Sequence, residues 1–124
     1  VYDIEKIGFE GEKGFAVLLR PDHFQEEKRS EWALRLVWDR VISYTVTDES
    51  YRPELWVSEK TPDWALWAFY VSETSDHLTR FREENYLVLE DTHHFFICGT
   101  NLMADILSDE FPAVAFLKWD PKLR

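Results

Sequence analysis

Between Trp32 and Trp38 the large apolar residues recur at every second position, and no other feature restricts the fold of this chain as much. Trp32, Leu34, Leu36 and Trp38 alternate with Ala33, Arg35 and Val37. A period of two places the four large side chains on one face of an extended strand. A helix would scatter them around its axis. Two indoles and two leucines on one face require a deep apolar counterpart, so the strand belongs to a sheet that covers a core.

The flanking sequence supplies partners for such a strand. Tyr2 to Phe9 reads as a strand, Glu10-Gly11-Glu12-Lys13-Gly14 as a turn with two glycines, and Phe15 to Arg20 as the return strand of a hairpin. Residues 21–30 are charged and read as a loop or a short exposed helix. Val41 to Thr47 is rich in β-branched residues, Asp48-Glu49-Ser50 is a turn, and Glu54 to Ser58 is a short strand. Residues 62–71 stay open. Thr61-Pro62-Asp63 resembles a helix start, yet Trp64 to Val71 is apolar on every face and suits a central strand behind a 60–63 hairpin loop. The strand is the favoured of the two.

Later in the chain, Thr74 or Ser75 caps a helix from Asp76 to about Glu84, with Leu78 and Phe81 as its buried stripe. Tyr86 to Glu90 and Thr92 to Cys98 read as strands about an Asp91 corner. Asn101 to about Ser108 reads as a second helix, with Leu102 and Ile106 turned inward. Ala113 to Trp119 is the last strand. The expected fold is therefore α+β: a mostly antiparallel β-sheet with two short helices in the C-terminal half packed on one face. No linker, repeat or low-complexity segment divides the chain, so residues 1–124 are read as a single domain.

Charge narrows the function classes. The chain carries 24 acids against 14 Lys and Arg, a formal net charge of −10. That balance argues against a nucleic-acid binder and against docking to an anionic membrane. No apolar run reaches the ~20 residues of a spanning helix. A single cysteine, Cys98, excludes an intrachain disulfide. Together with the absence of a signal-peptide pattern, this makes cytoplasmic residence the expectation.

The acids are unevenly placed. The 35 residues between Arg82 and Lys118 contain no Lys or Arg but hold Glu83, Glu84, Glu90, Asp91, Asp105, Asp109 and Glu110. With Trp119 as an aromatic anchor, these eight residues are the expected partner-binding set. Asp109 and Glu110 would sit at the C-terminus of the second helix, against its macrodipole, unless they form a turn leading to Pro112.

No catalytic, metal or cofactor motif appears. His93 and His94 follow two acids, but adjacent residues of a strand point to opposite faces. His93 then lies with Phe95 and Ile97, and His94 with Phe96 and Cys98, so the two cannot share one ligand set. Each heads an apolar row, as structural histidines do. His77 lies on the first helix, near Asp76 and Glu73. The neighbours of Cys98 point to burial. The expected function is a small acidic interaction domain, not an enzyme, that binds a basic protein partner, an immunity-type inhibitor of a toxin being one example. That comparison rests on charge and size alone. The alternative is a small-molecule-binding module with an aromatic-lined pocket between sheet and helices. Self-association into a homo-oligomer is left open.

Overall fold

The computed structural model describes residues 2–21, 31–48, 69–85 and 91–123. Eight strands pair into two antiparallel four-stranded sheets. They are β1 (Tyr2–Phe9), β2 (Phe15–Pro21), β3 (Trp32–Trp38), β4 (Ser43–Asp48), β5 (Phe69–Ser72), β6 (His93–Cys98), β7 (Leu102–Ser108) and β8 (Ala113–Lys118). The first sheet has the order β1-β2-β3-β8 and the second β4-β7-β6-β5. One α-helix, α1 (Asp76–Asn85), occurs among the described residues. No described helix is long and apolar enough to cross a membrane.

One core joins the inner faces of the two sheets. Ile4, Phe15, Val17, Leu19, Leu36 and Trp38 come from the first, and Phe95, Ile97, Ala104 and Ile106 from the second. The ring of Trp38 meets Phe95 edge-on across the interface at 5.4 Å, and Phe15 meets Trp38 at 6.2 Å. Offset and T-shaped ring pairs add to the area term that drives such a core. The period-2 reading of Trp32–Trp38 holds as a strand. Its face is fully buried at Trp38 and Leu36, while Trp32 at the strand's start stays partly exposed.

The expected second helix over 101–108 is corrected: these residues form the strand β7 behind a tight turn. β7 is a central strand, paired with β4 on one side and β6 on the other. Every residue from Met103 to Ser108 is buried. A strand covered on both faces carries apolar residues on both, so the two-residue period vanishes and a helix-like pattern takes its place. Thr100 and Asn101, which resemble a helix cap, belong to the turn. Asn101 Oδ1 accepts the N–H groups of Ile4 and Leu102 at 3.0 and 2.9 Å, and Asn101 Nδ2 donates to the Ile4 carbonyl at 2.9 Å. A side-chain amide thus stands in for a neighbouring strand at the point where the β1–β2 register slips, and it ties the two sheets together. With no helix there, Asp109 and Glu110 oppose no macrodipole. They lie in the bend before Pro112, the second of the two readings.

The β1–β2 hairpin, β6, β8 and α1 appear where expected. Ser75 caps α1 by accepting the Leu78 N–H at 3.1 Å, and Leu78 is fully buried. Residues 69–71 of the ambiguous apolar segment fall in the strand β5. The expected loop over 22–30, the strand 54–58, the segment 62–68 and the strand 86–90 lie outside the described residues.

Candidate functional site

Strand alternation on the second sheet builds the floor of a site on the face away from the core. On β6, Phe95 and Ile97 point into the core, so His94, Phe96 and Cys98 point outward. On β7, Ala104 and Ile106 point inward, so Met103, Asp105 and Leu107 point outward. Register places Tyr70 beside Phe96, Ser72 beside His94, Phe96 beside Asp105 and Asp105 beside Thr45. All of these side chains but Leu107, Met103 and Cys98 line one cavity of about 880 Å³. Its other wall is Thr74, Ser75, Asp76, His77 and Arg80, at the start of α1.

At the bottom of this cavity lies a chain of hydrogen bonds. Ser75 Oγ is 2.7 Å from His94 Nδ1, and His94 Nε2 is 2.7 Å from Asp105 Oδ1. His94 and Asp105 are only 8% and 3% exposed. A buried carboxylate is costly unless it is hydrogen-bonded and its charge is met. Asp105 interrupts an otherwise apolar central strand, so its burial is a structural expense that the histidine offsets. His77 stacks over His94 with ring centroids 4.8 Å apart and planes 21° from parallel.

Proton directions depend on the His94 tautomer. Where Nε2 of a neutral ring carries the proton, Nδ1 accepts from the Ser75 hydroxyl, whose oxygen also accepts the Leu78 N–H. His94 Nε2–H in turn donates to Asp105. Ser75, His94 and Asp105 form a continuous hydrogen-bonded line from the helix N-terminus to the central strand. The serine oxygen is committed to the helix cap, so its part is to orient His94.

His93, next in sequence, points the other way. Its ring packs on Phe95 and Phe111, and its Nε2 lies 2.9 Å from Glu73 Oε1. The two histidines therefore occupy opposite faces, as the strand reading requires. Cys98 is buried.

The acids expected to bind a partner are distributed over the fold. Asp105 is inside the cavity just described. Glu83 and Glu84 are exposed in the last turn of α1. Asp91 is exposed beside Thr92, whose hydroxyl donates to Asp109 at 2.8 Å. Asp109 and Glu110 both engage Arg40, through its guanidinium at 3.8 Å and its backbone N–H at 2.8 Å. Trp119 follows β8 of the other sheet, with the Arg20 guanidinium 4.2 Å above its ring. Glu90 lies outside the described residues. Asp91, Asp109 and Glu110 come together; Glu83, Glu84, Asp105 and Trp119 do not join them.

Comparison of the chain with protein-family models, with curated proteins and with solved structures finds no match. The function therefore rests on the site's own chemistry. Sequence reasoning passed over Ser75, His77, His94 and Asp105 as a group because they lie on three separate elements. The signal that marks them is Asp105, a lone charge amid Leu102-Met103-Ala104 and Ile106-Leu107 once that segment is taken as a strand.

Proposed function

We propose that this protein is a small-molecule-binding domain whose ligand occupies the cavity between α1 and the outer face of the second sheet. The observation that carries this reading is the buried Ser75–His94–Asp105 line at the bottom of a cavity large enough for a drug-sized molecule. Binding cavities span roughly 300–1,000 Å³ and combine apolar walls with a few convergent polar groups. Tyr70 and Phe96 supply ring faces here, Thr45, Thr47 and Ser72 supply hydroxyls, and Arg80 supplies a cation at the rim. The ligand that fits is a compact molecule with an aromatic or aliphatic body and a polar head aimed at His94 and Asp105.

The net charge of −10 supports a second reading, the basic protein partner. Asp91, Asp109 and Glu110 are the acids that lie close together, and Arg40 already engages two of them. That leaves the cavity as the better-supported site.

Ligand-observed NMR and thermal shift with a panel of small polar aromatic molecules test the proposal, using Thr45→Trp to fill the cavity. A true ligand raises the melting temperature of the parent protein and loses its effect in Thr45→Trp. A ligand at 100 times its Kd adds about 2.7 kcal/mol of stability, well within detection. Hits that bind the filled variant equally well, or a panel without hits, overturn it.

A further inference from the structure

We propose that His77, His94 and Asp105 form a binding site for a first-row divalent metal ion, zinc being the best match, at the bottom of the cavity. The metal would be the anchor for the head group of the small molecule, so this inference rests on the reading above for its purpose but not for its chemistry.

The three residues each offer a ligand atom, and these atoms lie within 4.8 Å of one another. Zinc takes imidazole nitrogen and carboxylate oxygen at about 2.0–2.2 Å, which spaces tetrahedral ligand atoms about 3.3 Å apart. For the triangle to reach that spacing His77 must leave its stacked position over His94. His94 Nε2 and Asp105 Oδ1, now 2.7 Å apart around a shared proton, move slightly apart around the ion, and His77 swings in from α1.

Two imidazoles and one carboxylate are a borderline donor set. It suits zinc and its neighbours in the first row over calcium or magnesium, which prefer oxygen alone. Three protein ligands with a fourth position open are the arrangement of zinc sites that bind water or substrate; closed structural sites use four. The open position here faces the cavity, whose lining includes all three ligands. The ligands come from α1, β6 and β7, so elements of regular structure hold two of them at the sheet and one above it.

Ser75 completes the design. A metal on Nε2 requires that nitrogen's lone pair, so the imidazole carries its proton on Nδ1 instead. The Nε2 proton leaves to solvent while Nδ1 takes one up, so the ring stays neutral and Nδ1–H donates to Ser75 Oγ, 2.7 Å away. Ser75 Oγ has two lone pairs and then accepts from both His94 and the Leu78 N–H. Metal-ligating histidines are held in this way by an acceptor on the second ring nitrogen. The cation also meets the charge of Asp105, the costliest buried group of the outer face.

Titration of the metal-free chain with Co²⁺, followed by visible absorption, and with Zn²⁺, followed by calorimetry, tests the site without any organic ligand. The expected result is one ion per chain, with the d–d bands of a low-coordinate nitrogen–oxygen site. His77→Ala and Asp105→Asn should each weaken binding by more than the roughly 10–100-fold typical of losing an outer hydrogen-bond partner. His93→Ala, on the opposite face, should leave it unchanged. His77 lies on the helix and is only half-buried, so His77→Ala keeps the test valid even where Asp105→Asn fails to fold. The absence of saturable binding below millimolar metal overturns the site, and so does binding that survives His77→Ala or is lost in His93→Ala. Small-molecule binding that persists in EDTA, with no metal bound, overturns the anchoring role of the ion, whose site is decided by the titrations. Loss of ligand binding in Thr45→Trp with cobalt binding intact upholds both.

Discussion

His94 and Asp105 are bonded at 2.7 Å across neighbouring strands, eleven residues apart in the chain and both almost fully buried. They do not face each other directly: His94 is paired with Leu107 and Asp105 with Phe96, so they are diagonal neighbours on the outer face. The long reach of imidazole closes that diagonal. Removing either partner leaves a buried polar group with one bond fewer, which costs about 1–3 kcal/mol. His94→Leu and Asp105→Leu should each lower stability by that amount in urea titrations. The double variant should cost clearly less than the sum of the two. Additive losses would show that the pair contributes no coupling.

Ser75 is expected to act on stability through the helix cap. Ser75→Ala removes the acceptor for the Leu78 N–H and should cost about 0.5–2 kcal/mol. Ser75→Asp restores a capping oxygen and should recover most of that loss, though it places a carboxylate beside His94. Urea unfolding of the two variants checks the order parent, Asp, Ala.

The legibility of the fold follows the exposure of each element. The β1–β2 hairpin is joined by a glycine turn, and β3 shows its period because its other face carries Ala33, Arg35 and Val37, which are smaller than the rings and leucines or charged. α1 is readable from its Ser75 cap and Leu78. β6 is readable well enough to send His93 and His94 to opposite faces. β7 is not readable, because burial on both faces erases the alternation that identifies a strand. The candidate site inherits that gap. Asp105 placed on a helix has no reason to meet His94; on β7 it is forced beside it. The residues that Ser75, His94 and Asp105 bring together are 19 and 11 positions apart, distances that no local spacing rule spans.

Asn101 should be worth more than a surface turn residue. Its amide bonds both backbone groups of Ile4 and the N–H of Leu102. Asn101→Ala leaves three backbone groups to find water or go without, at a net cost of about 0.5–1.5 kcal/mol for each bond. Asn101→Asp keeps the acceptor and loses the donor, and should fall between. Hydrogen exchange at the Ile4 amide should accelerate in Asn101→Ala before global unfolding does. Unchanged protection there would mean that packing and the Thr100 bonds to Tyr2 and Asp3 hold β1 to the second sheet without Asn101.

Two phenylalanines separate core from surface within the same sandwich. Phe95 is fully buried between Trp38, Phe69 and Phe111, whereas Phe116 on β8 is 74% exposed even though it is paired with Leu34. β8 is the edge strand of the first sheet, and among the described residues none covers its Val114 and Phe116 side chains, which are 57% and 74% exposed. Phe95→Ala should cost about 3–5 kcal/mol, and Phe116→Ala about 0.5 kcal/mol or less. Comparable losses would place a covering layer over β8.

Gly14 and Gly11 lie in the same turn but answer to different constraints. Gly14 has φ of +90°, and a Cβ there would sit 2.3 Å from the Trp38 carbonyl oxygen. Gly11 has φ of +58° with nothing within 4 Å of that position. Gly14→Ala therefore meets both strain and backbone, and the backbone it meets belongs to β3 next door. It should cost well over the roughly 1 kcal/mol of an incompatible glycine substitution. Gly11→Asn, which adopts the left-handed region readily, should be close to neutral. Thermal unfolding of the two variants decides the matter: equal melting temperatures would show that β2 and β3 yield at Trp38 to admit a side chain.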